Sequence, residues 1–164
     1  MGDANEKTAA DLAGKYLTFK LADEEYGLEI LKVREIIGMM AITGLPRTPS
    51  FVRGVINLRG KVIPVIDLRT KFGLNTTADT AETCIIVVDV TASIGVVQIG
   101  ILVDTVSEVL DILGKDIEDP PKFGTSVDTA FILGMAKTKG AVKILLNIER
   151  VLSSEEIDSV AKVA

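Results

Sequence analysis

The chain has 164 residues, of which 48% are hydrophobic, 25% charged and only 4% aromatic, with no tryptophan. This composition suits one folded domain, or two small lobes sharing a core, built on Val, Ile, Leu and Ala. Lys and Arg total 18 against 23 Asp and Glu, a net charge of −5 with the cations scattered, which excludes the basic field that a nucleic-acid surface needs.

From the N-terminus, residues 1–14 are polar and mixed in charge and read as a flexible lead. They lack the basic and apolar regions of a signal peptide, and Glu6 stands where a myristoylation site needs Ser or Thr. No apolar run approaches the ~18 residues of a membrane span, so a cytoplasmic protein without membrane insertion is expected. Between Lys15 and Ala22, Tyr16, Thr18 and Lys20 alternate with Leu17, Phe19 and Leu21, which predicts a half-buried strand. Asp23 to Glu25 turn the chain and Tyr26 to Ile30 return it. The spacing of Ile30, Val33 and Ile37 predicts one helical turn around Leu31 to Glu35. Pro46 and Pro49 mark a loop. Two β-rich runs, Gly54 to Leu58 and Lys61 to Leu68, then flank Arg59-Gly60, a corner where Gly60 can take positive φ.

Asp67 to Phe72 reads as a short helix stopped by Gly73. Asn75 to Glu82 is a polar connector. Cys84 to Val90 is a central strand, and Ile94 to Val103 is a longer one that Gly95 and Gly100 should bulge or bend. A shorter apolar run, Val106 to Ile112, precedes a Pro- and Gly-bearing loop over residues 116–128. Strands follow at Ala130 to Ala136 and Ala141 to Ile148, and Ser153 with its acidic first turn starts a C-terminal helix. Strands at short intervals, broken by Gly and Pro, indicate a mainly β barrel or sandwich.

The sequence repeats itself. One offset carries Phe51-Val52-Arg53-Gly54-Val55 onto Phe131-Ile132-Leu133-Gly134-Met135, and Arg59-Gly60-Lys61-Val62 onto Lys139-Gly140-Ala141-Val142. The same offset carries Val65-Ile66-Asp67-Leu68 onto Leu145-Leu146-Asn147-Ile148. Earlier segments match more loosely. Tyr26-Gly27-Leu28 and Val33 to Ile36 answer to Ile94-Gly95-Val96 and Val106 to Val109, across a longer spacer in the second copy. Two similar β-lobes follow from this. They differ at the corner, where Asn57-Leu58-Arg59 gives way to Lys137-Thr138-Lys139.

Most catalytic chemistry is missing. Without histidine the chain lacks the commonest general base and a common metal ligand. Its one cysteine, Cys84, lies in an apolar run and reads as a small buried hydrophobe; alone it makes neither a zinc cage nor an internal disulfide. No phosphate cradle and no G-x-S-x-G occur. Asp67, Asp89 and Asp104 end apolar runs, where turn formation or ion pairing outweighs an acid–base dyad. No enzyme and no cofactor or metal are expected, which leaves binding surface. Arg59 offers a planar five-donor fork, although spacing alone reads it as a solvated turn residue. Glu35, beside Val33 and Ile36, equally reads as part of a solvated helical face. Pro64 marks its strand as an edge or as locally bulged, and an edge can recruit another chain.

The run G-V-I-N-L-R-G-K-V-I-P-V-I-D-L-R, from Gly54 to Arg69, closely resembles the signature of the CheW-type chemotaxis coupling proteins. So do F-K-L-A-D-E-E-Y-G-L-E-I-L-K-V-R-E-I-I, from Phe19 to Ile37, and the Pro-x-x-Pro-x-Phe-x-x-Gly-Val loop from Pro46 to Val55. The likeness extends from about Tyr16 to the C-terminal helix. It implies two five-stranded SH3-like β-barrels packed on a shared hydrophobic core, with short peripheral helices and a C-terminal helix. It divides the chain into a flexible stretch 1–14, a CheW-like domain 15–152 with lobes of approximately 15–80 and 81–152 that can exchange strands, and a helix over 153–164.

The resemblance also implies a non-catalytic bacterial chemotaxis adaptor. Such a protein couples methyl-accepting chemoreceptors to the histidine kinase CheA in signalling arrays, recruited to the inner face of the membrane. Its partners would be the kinase's regulatory domain, which shares the fold, and the receptor's cytoplasmic hairpin tip, held in a groove between barrels. Receptor contact would fall to Val33, Glu35 and Arg59, with Ile36, Asn57 and Leu58 as their neighbours. No individual kinase-contact residue carries over. The other class open to such a fold is a small-ligand-binding β-barrel, which needs an enclosed pocket with convergent polar groups.

Overall fold

The computed structural model describes residues 9–74, 78–120, 130–138 and 140–162. In its first strand, β1 (Gly14–Leu21), Tyr16 to Phe19 are all buried, so the strand is not half-buried as its alternation predicts. Tyr16 points into a closed barrel and Leu17 points out of it, onto a core that a second barrel shares. Both faces of a strand are then covered, and alternation in the sequence no longer reports exposure.

The remaining strands are β2 (Glu24–Glu29), β3 (Val33–Gly38), β4 (Val52–Leu58), β5 (Lys61–Asp67), β6 (Cys84–Ala92), β7 (Gly95–Val103), β8 (Thr105–Ile112), β9 (Ile117–Glu118), β10 (Ile132–Thr138) and β11 (Ala141–Leu146). One sheet runs β3-β6-β7-β5-β4 and the other β8-β1-β2-β11-β10-β9. Each contains one parallel ladder, β5 with β7 and β11 with β2. The first sheet closes where Thr43 and Val55 exchange two backbone hydrogen bonds of 2.9 Å. The second closes where β9, the continuation of β8 beyond a 3₁₀ turn, pairs with β10. Both sheets are therefore SH3-like barrels, and each combines strands from both halves of the chain. Among the described residues the chain crosses between barrels twice, at the 3₁₀ turn Ile30–Lys32 and at Asp104.

Closure explains the repeated Phe-x-x-Gly. At Gly54, with φ 142, an added Cβ would lie 2.0 Å from the Thr43 carbonyl oxygen; at Gly134 it would lie 3.0 Å from the Glu118 oxygen. Only glycine lets the closing segment cross so near. The Phe51 carbonyl accepts the Asp67 N–H, and that of Phe131 accepts the Asn147 N–H, both at 2.8 Å. The parallel ladders correct one alignment. Gly100 lies opposite Val65, and Gly27 opposite Leu145. Gly27 thus answers to Gly100 rather than Gly95, and the spacings from Gly27 to Glu35 and from Gly100 to Glu108 become equal. The bulge expected in β7 is absent, since β6 and β7 pair without a register shift. Gly100 instead admits Ile85, whose Cγ2 would sit 2.8 Å from an added Cβ.

The helices are short. In α1 (Ala9–Leu12), Leu12 is buried and its carbonyl accepts the Tyr16 hydroxyl at 2.6 Å, so this part of the lead packs onto the second barrel. Residues 1–8 lie outside the described residues, as do 75–77 of the connector and 121–129 of the later loop. The expected helix after Asp67 is α2 (Leu68–Lys71), capped by the Asp67 carboxylate. Its repeat equivalent, α3 (Ile148–Val151), is capped by Asn147 and ends the last expected strand early. The C-terminal α4 (Ser154–Ala161) carries a full capping box between Ser153 and Glu156. The helical turn expected around Leu31 to Glu35 is only the 3₁₀ turn Ile30–Lys32; Val33 onward is strand, paired with β6.

Beneath α2 lies a buried ion network. Arg69 has a side chain 1% exposed; its Nε and Nη2 donate to the two oxygens of Asp67 at 3.1 Å, and its Nη1 donates to Asp104 at 2.8 Å. Arg53 joins Asp67 at 3.5 Å and Asp79 at 3.0 Å. The strand-end aspartates are thus ion-pair partners, and Asp89 likewise lies 3.7 Å from Arg34. Cys84 is half-buried at the margin of the shared core, and burial pushes its thiol up, in keeping with an inert side chain.

Three outcomes follow from this packing. Gly54→Ala is expected to cost at least about 2 kcal/mol in urea denaturation, since the clash is with backbone that cannot rotate away. Arg69→Met should cost up to about 3–5 kcal/mol, because it leaves the buried Asp67 carboxylate with the more distant Arg53 as its cation; a loss below about 1 kcal/mol would show that the network contributes little. The Arg53 hydrogen bond, aided by the charges of Arg53 and Arg69, holds the Asp79 carboxyl below its usual range against desolvation. The folded value lies below the unfolded one, so this stabilisation is complete above the ordinary carboxylate pKa and is lost as pH falls through the depressed value. Asp79→Asn should therefore flatten the acid limb of stability against pH, whereas a curve superimposable on the parent's would contradict the pairing.

Candidate functional site

Leu58 and Lys61 form the last pair of the β4–β5 ladder, so Arg59 and Gly60 alone make the turn. Their φ angles are 52 and 86, both positive, as a type I′ hairpin requires. Glycine adopts that conformation freely; arginine does so against the contact between its Cβ and the backbone. Asn57 helps to hold it, its Oδ1 accepting the Gly60 N–H at 2.8 Å. An arginine in a place that suits Asn or Gly is locally unfavourable, which points to a use for the side chain.

That side chain reaches Glu35 on the neighbouring edge of the barrel. A register shift between Val33 and Glu35 rotates β3. Val33, opposite Val88, packs against the shared core. Glu35, opposite Val87, turns towards the mouth of the barrel, whose interior holds Val87, Ile37 and Leu58. Over that mouth Arg59 Nη2 donates to Glu35 Oε1. The Arg59 side chain is 70% exposed and that of Glu35 32%. The hydrogen bond first, and the carboxylate charge second, raise the Arg59 pKa further above its already high value, so the guanidinium is charged at any physiological pH. Exposed pairs of this kind contribute little to stability.

The six residues singled out in the sequence do not form one patch. Glu35 and Arg59 meet, with Leu58 half-buried beneath the tip. Asn57 faces outward, its amide oxygen occupied by the turn. Val33 and Ile36 lie on the opposite face of β3 from Glu35, and Ile36 is 44% exposed beside Ile86 of the shared-core face. Val62, the exposed Cα partner of Asn57, adds an apolar neighbour that the sequence reading passed over. Its outward place in the alternation of β5 was the available signal. Lys61 to Pro64 pair with β4 alone, because the β7 ladder begins at Val65. A residue without an N–H is tolerated on such an edge.

Neither barrel encloses a ligand-sized chamber among the described residues. Leu12, Tyr16, Ile112, Ile117, Ala136 and Leu145 fill one interior, and Ile56, Ile63, Val65, Ile85, Val87 and Leu102 the other. A cavity between the barrels, lined by Ile66, Val88 and Ile101, measures about 10 Å³, the room of a single water at most. A larger space of about 480 Å³ lies outside both barrel interiors, between the Leu45–Val52 loop and α4. Among the described residues no group of His, Cys, Asp and Glu is placed to hold a metal, and no helix is long and apolar enough to cross a membrane.

Comparison with known proteins agrees with this architecture. The family model described as CheW-like domain matches residues 15–156. The chemotaxis protein CheW of Klebsiella aerogenes is 40% identical over 160 residues, covering 95% of this chain and 94% of that protein. The chemotaxis protein CheW of Rhizobium meliloti is 34% identical over 140 residues, covering 85% and 88%. The crystal structure of the scaffolding protein TtCheW from Thermoanaerobacter tengcongensis matches with a TM-score of 0.77 at 39% identity, over 88% of this chain and 97% of that one. With both barrels inside the family match and relatives aligned along nearly their whole length, this chain belongs to the CheW family of chemotaxis scaffold proteins.

Proposed function

We propose that this protein is a non-catalytic cytoplasmic adaptor that couples the hairpin tip of methyl-accepting chemoreceptors to the regulatory domain of the histidine kinase CheA, in arrays at the inner face of the membrane. Glu35 and Arg59 are the centre of its receptor surface, with Val33, Ile36, Asn57 and Leu58 around them. The observation that carries this reading is the exposed Arg59, kept at a left-handed turn position where Asn or Gly would be favoured. Glu35 engages one donor and orients the guanidinium, which leaves the rest of its fork directed to solvent, suited to the carboxylates and carbonyls of a helical hairpin. Arginine at such a place is a frequent interface anchor. Membership of the CheW family supports the chemotaxis role, and the filled barrel interiors favour an adaptor over a small-ligand barrel. Signal would pass by geometry, with receptor contact on one surface biasing a kinase held at others.

Arg59→Asn separates the two uses of this position. Asn suits the turn, so the melting temperature should hold or rise, while capture of a receptor cytoplasmic fragment falls by about tenfold. Undiminished capture would reduce Arg59 to a turn residue. The adaptor role itself is tested by co-purification of the wild-type protein with a CheA regulatory domain, with and without the receptor fragment. A ternary complex is the expected result, and steady nucleotide turnover by the protein alone would overturn it.

A further inference from the structure

Both places where the chain passes between barrels are clamped by a charged side chain, and the two clamps have opposite signs. Arg69 of α2 donates to Asp104, at the crossover from β7 to β8, at 2.8 Å. The other Asp104 oxygen accepts the Ala22 N–H, in the β1–β2 turn of the second barrel, at 2.7 Å. Glu149 of α3 accepts from Lys32, at the crossover from β2 to β3, at 3.4 Å. Its other oxygen accepts the Thr91 N–H of β6, in the first barrel, at 3.0 Å. Arg69 and Glu149 occupy equivalent positions of the repeat, each two places beyond its helix cap, Asp67 or Asn147.

A duplicated chain has an alternative fold. Each half could keep its own leading hairpin, β1–β2 joining β3 to β5, and β6–β7 joining β8 to β11. Apolar patterning does not choose between these arrangements. Both hairpins present one face to the shared core and one to a barrel interior, and both carry a glycine at the parallel ladder, Gly27 and Gly100. Charge does choose. With the hairpins kept at home, the buried Arg69 would face the crossover that carries Lys32, and Glu149 would face the one that carries Asp104. Like charges would meet at both places, and Arg69 would lose an anion in the interior. We infer that the sign-reversed pairs Arg69–Asp104 and Glu149–Lys32 select the exchanged barrels, by penalising the unexchanged ones as well as by stabilising the native contacts.

The test uses two full-length double variants. Lys32→Glu with Asp104→Lys reverses both crossovers, so that the unexchanged arrangement becomes the paired one. Lys32→Met with Asp104→Asn removes both clamps and favours neither. Each is refolded from denaturant, sized by chromatography with light scattering, and assessed by methyl NOEs between Val33 and Val88, Cα partners that only the exchange brings together. The neutral variant should refold as a less stable monomer that retains the Val33–Val88 contact. The reversed variant should lose that contact in most molecules, or recover it by trading hairpins with a second copy and elute as a dimer. If the two variants behave alike, whether both keep the contact as monomers or both lose it, charge does not select the exchange.

Discussion

The close crossing of backbone at Gly54, and again at Gly134, is the constraint on which the rest of the molecule depends. Closing a sheet of five short, twisted strands pairs its edges and gives it an interior to fill. Closure here brings the segment after β3 against β4, through the Thr43–Val55 hydrogen bonds. That contact sets the edge of β3 beside the β4–β5 tip, and Glu35 meets Arg59 as a result. Without the missing Cβ at Gly54 the barrel would open at the seam that assembles its exposed surface.

Two kinds of ion pair in this protein do different physical work. Arg69 is sealed beneath α2 with Asp67, in a low dielectric where a lost partner is costly. It is part of the framework, and its contacts reach from one barrel into the turn of the other. Glu35 and Arg59 lie in water, where a pair is worth little to stability. In the proposed receptor surface their value is presentation, since a hairpin tip holds a guanidinium that a flexible loop would let wander. The short helices follow the same division, with α4 and α2 strapped by Lys71 and Glu156 at 2.8 Å behind the barrels.

Much of this was legible in the residues. The hairpin at Arg59-Gly60, the helix capped at Asp67, the helix opened by Ser153 and the internal repeat each rest on local chemistry that tertiary packing reinforces. The reading of Leu31 to Glu35 as a helical turn failed from Val33 onward for an identifiable reason. A bulge between Val33 and Glu35 breaks the two-residue alternation, and apolar residues then fall three and four apart, as on a helix. Tyr16 to Phe19 misled in the same manner, because a barrel interior buries the face that alternation assigns to solvent. Gly100 read as a bend because a glycine made necessary by a distant Ile85 looks the same in sequence as one made necessary by its own backbone.

Local chemistry along the chain dictates what each segment can be. Glycines permit the turns and crossings, side chains cap the helices, and the absence of histidine with a single cysteine removes most catalytic chemistry. The sequence also sets the doubling of the fold, since both copies carry the same punctuation. Which hairpin belongs to which barrel is a matter of long-range contacts, because the two offer nearly the same apolar pattern and the distinction rests on charges far apart in the chain. The same is true of the partner of Arg59. A solvated turn residue and an oriented guanidinium have identical neighbours in sequence, and only closure of the barrel places Glu35 within reach.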